Sequence, residues 1–191
     1  FSAQSNKPME MLEERRYSIV NNPFSRKILK DEFLNLAVNV EGIIAGTEKY
    51  DHSVFDGLPN LKVISRLGVG MDNIDIKIAE EKGIKVYKTT TSPAPAVAEL
   101  VFGLMINVYR HISKSNELLK NSIWEKQMGF LLQGKTLGII GLGTIGKTLV
   151  ELVKGFNFNI LAFDLKQDEQ FAKEHSVNYC ELNTLLSQSD I

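Results

Sequence analysis

The chain has 191 residues, 43% of them hydrophobic and 24% charged, with a formal net charge of -1 and a pI near 6.4. That composition excludes an unfolded polyelectrolyte and leaves room for one large or two small folded domains. Acidic and basic residues are mixed along the chain without a run of either, which gives no reason to expect a nucleic acid or an anionic membrane as partner.

One cysteine, Cys180, has no second cysteine to pair with and no Cys or His at metal-ligand spacing, so no metal is expected and a reducing, cytoplasmic setting fits. The longest apolar stretch, Ala96 to Tyr109, is too short for a membrane span and carries Glu99 and Asn107, so it reads as a buried helix. The chain opens on Phe1 and closes on "SQSDI", so both ends look cut.

In chain order, a helix is expected from Pro8 to Arg15, with Pro8 suited to a first turn, and then a strand at "YSIVNN". A helical stretch "RKILKDEFLNLA", a strand "GIIAG", a short helix near "HSVFDGL" and a strand "LKVISR" come next. A helix "IDIKIAEEKG" ending at Gly83 and a strand "IKVYK" complete the first half. Alternation of this kind implies a parallel sheet with crossover helices. Such a sheet normally opens with a strand, so a strand preceding Phe1 is expected.

"TTTSPAPAV" resists both helix and strand interiors and reads as a hinge, dividing a first domain, residues 1–90, from a second, residues 91–191. A long helix from about Ala96 to Asn121 follows. Its stripe of Val97, Val101, Leu104, Met105, Val108 and Ile112 has apolar residues beside it, and that girth needs partners on more than one side. From Lys135 the alternation resumes: strand "KTLGII", a glycine loop, helix "TIGKTLVELVKG", strand "NILAFD", helix "DEQFAKEH", strand "VNYCEL" and helix "NTLLSQSD".

Gly141, Gly143 and Gly146 form G-x-G-x-x-G between a strand and a helix, and Asp164 closes the next strand 18 residues after Gly146. That context matches the dinucleotide-binding fingerprint. The first glycine permits the tight turn, the second lets backbone approach a pyrophosphate, and the third lets the helix pack on its strand. N–H groups from Thr144 and Ile145 onward face the phosphates with the positive end of the helix dipole. Asp164 would accept from the adenosine ribose hydroxyls and repel a 2′-phosphate, so the cofactor expected is NAD and not NADP.

A second signal is "VISRLGVGMDNID", where a strand of the first domain ends in a glycine-containing loop. N–H groups of Gly68, Val69 and Gly70 can bind a carboxylate there, with Arg66 pairing a second anionic group. On these residues alone, a surface ion pair of Arg66 beside a structural turn is equally open.

"SRLGVGMDNID", "GIKVYKTTTSPAPAVAEL" and "GKTLGIIGLGTIGK" with "FD" at Asp164 resemble the D-isomer-specific 2-hydroxyacid dehydrogenases, most closely their phosphoglycerate dehydrogenase branch. The resemblance implies two α/β domains of the doubly wound, Rossmann-like parallel-sheet class, for substrate and for NAD. It also implies a hinge and a homodimer made largely through the NAD domain, with the helix near Ala96 pairing. By resemblance, Gly68, Val69 and Gly70 bind the substrate carboxylate and Arg66 meets the substrate phosphate, while Thr144, Ile145 and Asp164 contact cofactor. The implied reaction is hydride transfer between a D-2-hydroxy acid and nicotinamide, with D-3-phosphoglycerate, the substrate of serine biosynthesis, the leading candidate. Pro93, standing where close phosphoglycerate relatives often carry asparagine, departs from that branch. Other readings are a glyoxylate, hydroxypyruvate or D-lactate reductase, or a NAD-sensing protein like the C-terminal-binding corepressors.

The arginine, acidic residue and histidine that serve the family's chemistry match nothing here and are expected beyond Ile191, so no catalytic residue is nominated. His52 is read as lying in a polar loop, His111 on the polar side of the long helix and His175 after a helix, all three solvated or capping and none with an acidic orienter.

Overall fold

A computed structural model describes residues 5–191, and the chain divides into two compact units, one ending at Thr91 and the other spanning Ser92–Ile191. The division falls inside the proline-containing segment. In the first unit, α1 (Lys7–Glu14) starts with Pro8 in its first turn, and α2 (Lys30–Ala37) has Glu32 accepting from the backbone N–H of Leu29 at 2.9 Å. Strands β1 (Gly42–Ala45), β2 (Val63–Arg66) and β3 (Lys85–Lys88) pair in parallel in that order, joined through α3 (His52–Asp56) and α4 (Ile76–Glu81). Ala45 and Ile64 from the sheet, Tyr50 and Phe55 around α3, and Ala79 from α4 form the core. Tyr50 is 1% exposed and sits edge-on to Phe33 at 5.8 Å, and burial pushes its phenol well above its ordinary pKa.

The second unit contains α5 (Ala94–Arg110), α6 (Ile112–Lys120), β4 (Thr136–Ile140), α7 (Thr144–Leu152), β5 (Asn159–Phe163), α8 (Glu169–His175), β6 (Val177–Tyr179) and α9 (Leu182–Gln188). Strands β4, β5 and β6 pair in parallel in that order. Leu137 and Ile139 of β4, Leu149 and Val150 of α7, and Ala98 and Met105 of α5 share one core, with α5 packed on α7. After α9 the backbone reaches the other edge of β4. Asp190 N–H donates to Thr136 O at 2.9 Å, and Gly138 N–H donates to Ile191 O at 2.9 Å. The direction of winding therefore reverses at β4, the arrangement that opens a ligand crevice beyond a strand's carboxyl end.

Gly138 is required for that arrangement. A Cβ at this position would collide with Ser189 Oγ and lie 2.8 Å from Leu185 Cδ2, so α9 can cross β4 only over a bare backbone.

Four expectations need correction. Residues 17–22, "YSIVNN", form no strand, and the helix expected from Arg26 starts only at Lys30, because Arg26 is held outside it by a two-pronged contact to Glu32. The long helix is two helices: His111 takes a left-handed conformation (φ 53°), and the Asn107 side chain accepts the N–H of Ser113 at 2.8 Å. His111 is thus the joint, not a mid-helix residue. The apolar stripe also divides, with Val101 and Met105 packing inward while Leu104, Val108 and Ile112 are at least half exposed.

Candidate functional site

Each unit carries a glycine-containing loop at the carboxyl end of a strand. In the second unit, β4 runs into Gly141, whose φ of +91° is a conformation that favours glycine. Leu142, 3% exposed, anchors the loop in the core, and its N–H donates to Asp164 Oδ2 at 2.7 Å. Gly143 caps α7, and a Cβ there or at Gly141 would meet open space. Gly146 is buried, and its Cβ would lie 2.7 Å from Gly141 O and 3.3 Å from Ile139 Cγ2. The three glycines thus have different reasons: a turn, an open approach, and contact between helix and loop.

The first α7 hydrogen bond across the loop is Lys147 N–H to Gly143 O at 2.9 Å. The N–H groups of Thr144, Ile145 and Gly146 have no acceptor among the described residues and lie at the positive end of a nine-residue helix. Beside them Asp164, at the end of β5, accepts from Lys166 N–H at 2.9 Å as well as from Leu142. Those bonds, the Lys166 amide foremost and helped by the charge of Lys147, hold its carboxyl below the ordinary range, so it is ionised at neutral pH. Each carboxylate oxygen keeps a lone pair for a further donor. Open space over two glycines, donors at a helix start and an ionised acceptor fit the diphosphate and ribose of a dinucleotide.

In the first unit the residues of the expected substrate loop divide. Gly68 (φ +149°) has its N–H engaged, donating to Thr89 Oγ1 at 3.0 Å and toward Arg66 O at 2.9 Å. It therefore does not offer the free donor expected of it. The N–H groups of Val69 and Gly70 have no acceptor among the described residues, and both residues are exposed.

Arg66 donates from Nε to Asn73 Oδ1 at 3.3 Å and from one terminal nitrogen to Leu67 O. Its guanidinium lies against Gly68, where a Cβ would approach Cζ to 2.9 Å. No carboxylate lies within ion-pair distance of it among the described residues, so the surface ion pair held open above does not form. One guanidinium nitrogen, with the charge, remains for an anion.

Sequence reasoning missed Asn73. Its amide donates to Gly46 O at 3.2 Å and Glu48 O at 2.6 Å while its oxygen receives Arg66, so one side chain ties the loop after β1 to the loop after β2. The local signal was "DNID", in which Asp75 caps α4 by accepting Ile78 N–H at 3.2 Å and so sets where Asn73 stands.

The histidines also differ from expectation. His52 opens α3 and has an acidic neighbour, Asp56, at 2.7 Å, but Asp56 is shared with Lys82 and the imidazole is 72% exposed. His175 is the last residue of α8, 10% exposed and stacked on Phe171 at 4.1 Å, so it is a packing residue and not a solvated one. Among the described residues no group of His, Cys, Asp and Glu is placed to hold a metal ion, and no helix is long and apolar enough to cross a membrane.

Fold and loops together define an α/β protein of the dinucleotide-binding class. Residues 1–190 match the family model for the D-isomer specific 2-hydroxyacid dehydrogenase, catalytic domain, and the chain belongs to that family. It is 39% identical to hydroxypyruvate reductase of Thermotoga maritima over 87% of this chain and 54% of the relative. It is 36% identical to D-3-phosphoglycerate dehydrogenase of Methanocaldococcus jannaschii over 85% of this chain and 32% of the relative. Among solved structures, D-lactate dehydrogenase from Aquifex aeolicus complexed with NAD and lactic acid superposes with a TM-score of 0.75 at 26% identity, covering 98% of this chain and 56% of that one. The chain spans about half the length of the hydroxypyruvate and glyoxylate reductases it matches.

Proposed function

We propose that the chain supplies the adenosine-binding and substrate-anchoring parts of an NAD-dependent D-2-hydroxyacid dehydrogenase. The observation that carries this reading is the Gly141–Gly146 turn clamped by Asp164 through the Leu142 amide. When bound, NAD supplies the hydride acceptor. The chain's own part is to hold the diphosphate on the Thr144 and Ile145 amides at the Gly143 turn, and the ribose on Asp164. In the first unit, the Val69 and Gly70 amides hold the substrate carboxylate, while Gly68 contributes conformation and not a donor. Titration of NAD into the chain by calorimetry tests the first part: saturable heat is expected, and its loss in Asp164→Ala.

For the substrate, the uncommitted charge of Arg66 favours a 2-hydroxy acid with a second anionic group, as in D-3-phosphoglycerate. The Thermotoga maritima relative supports hydroxypyruvate as the second reading. In the complete protein, Arg66→Ala is expected to raise KM for phosphoglycerate at least tenfold with little change in kcat, and to leave KM for glyoxylate nearly unchanged. Equal effects on both substrates would remove the phosphoglycerate reading. None of the three histidines is placed as a general acid or base, so the 191 residues alone are expected to bind nucleotide without turnover.

The exposed Leu100, Leu104 and Val108 on α5, with Trp124 90% exposed, support a homodimer formed through this unit. Leu104→Asp is expected to halve the mass measured by light scattering.

A further inference from the structure

A lysine stands between two aspartates beside the glycine turn. Lys147, in the first turns of α7, pairs with Asp168 Oδ2 at 2.5 Å and lies over the Phe171 ring, 5.1 Å from its centre. Asp168 is itself held from two further sides: it caps α8 by accepting Phe171 N–H at 3.0 Å, and its own N–H donates to Tyr179 Oη at 2.9 Å. Asp164 stands four residues before Asp168 and also feels the charge of Lys147.

If a nucleotide's ribose meets Asp164, a phosphate on its 2′-oxygen needs a counter-ion beside that carboxylate, and Lys147, whose charge Asp164 feels, is the cation that α7 offers. In this chain that cation is already engaged, on a carboxylate whose cap and tyrosine bond fix its position. Resting on the dinucleotide reading above, we propose that Asp168 is a second determinant of cofactor choice. It selects against a 2′-phosphorylated dinucleotide by withholding Lys147. Asp164 alone does not set the preference, and Asp168 acts through Lys147 without touching cofactor.

The test is calorimetric titration of the 191-residue chain with NAD and with NADP at low ionic strength, for the unchanged chain, Asp168→Asn, and Asp168→Asn combined with Lys147→Gln. Asparagine caps a helix as well as aspartate does, so the first variant removes charge and keeps the α8 start. The expected result is a rise in NADP affinity of roughly two- to fivefold in Asp168→Asn, the size of one screened charge contact, with NAD affinity nearly unchanged. That gain should vanish when Lys147 is also replaced. An unchanged NADP-to-NAD ratio in Asp168→Asn while NAD still binds overturns this inference alone. A gain that survives loss of Lys147 overturns it as well. Absence of NAD binding to the unchanged chain overturns the dinucleotide reading and this inference with it.

Discussion

The two glycine loops solve related problems with different materials. After β4, the donors are backbone amides at the start of a helix, and the side chain that hydrogen-bonds the turn is Asp164, reaching in from the end of the next strand. After β2, the loop is held by side chains, Asn73 and Thr89, and its charge is the guanidinium of Arg66. The first geometry is set by what is missing, a Cβ at each of three positions. The second is set by what is present. Backbone recognition is general for phosphates, whereas side-chain recognition distinguishes one acid from another, so the two loops carry separate parts of the specificity.

The comparison can be broken most sharply at Gly146. Gly146→Ala places a Cβ 2.7 Å from Gly141 O, a backbone atom that cannot rotate away. Chemical denaturation should show a loss of about 2 kcal/mol, and NAD affinity should fall by more than about tenfold as α7 is pushed off the loop. Next comes Asn73→Ala, which removes three hydrogen bonds in the first unit and leaves Gly46 O, Glu48 O and Arg66 without their partner. A cost of about 1 to 3 kcal/mol is expected there. NAD titration should be unmoved, because every proposed nucleotide contact lies in the other unit.

The smallest effect is one of pH. The carboxyl of Asp164 has a lower pKa folded than unfolded, so the unfolded chain takes up its proton first. Its contribution to stability is complete above the ordinary carboxylate value of about 3.9 and is lost as pH falls through the lowered folded value. Asp164→Asn should flatten the acid limb of the stability curve over that window, with the small loss of stability seen at neutral pH and none below the folded value.

Much of the loop after β4 was legible because backbone chemistry leaves a mark in sequence: glycine at fixed offsets after an apolar run, then an acid one strand later. Gly138 was not, since its reason is a helix that arrives 47 residues downstream at Leu185. The loop after β2 was only partly legible. Arg66 and the glycines stood out, but whether the Gly68 amide was free depended on Thr89, a neighbour only once β2 and β3 pair. The break at His111 was missed for a related reason. No glycine or proline marks it, and the left-handed turn is supported by Asn107, which reads as an ordinary helical polar residue. Residues 17–22 failed in the opposite direction, alternating like a strand without a partner to pair with.

The segment that returns to the outer edge of β4 has a consequence for how the chain folds. Thr136 N–H is received by the carboxylate of Asp190 at 2.8 Å, across 54 residues, while β4's other edge waits for β5. Contacts of such separation form late, because the intervening loop must first be closed. The nucleotide turn hangs on the end of β4, so it has no local route to its final shape. Nucleotide binding should recover at the rate of the whole unit's refolding, making cofactor titration during refolding a clock for the slowest pairing in the sheet.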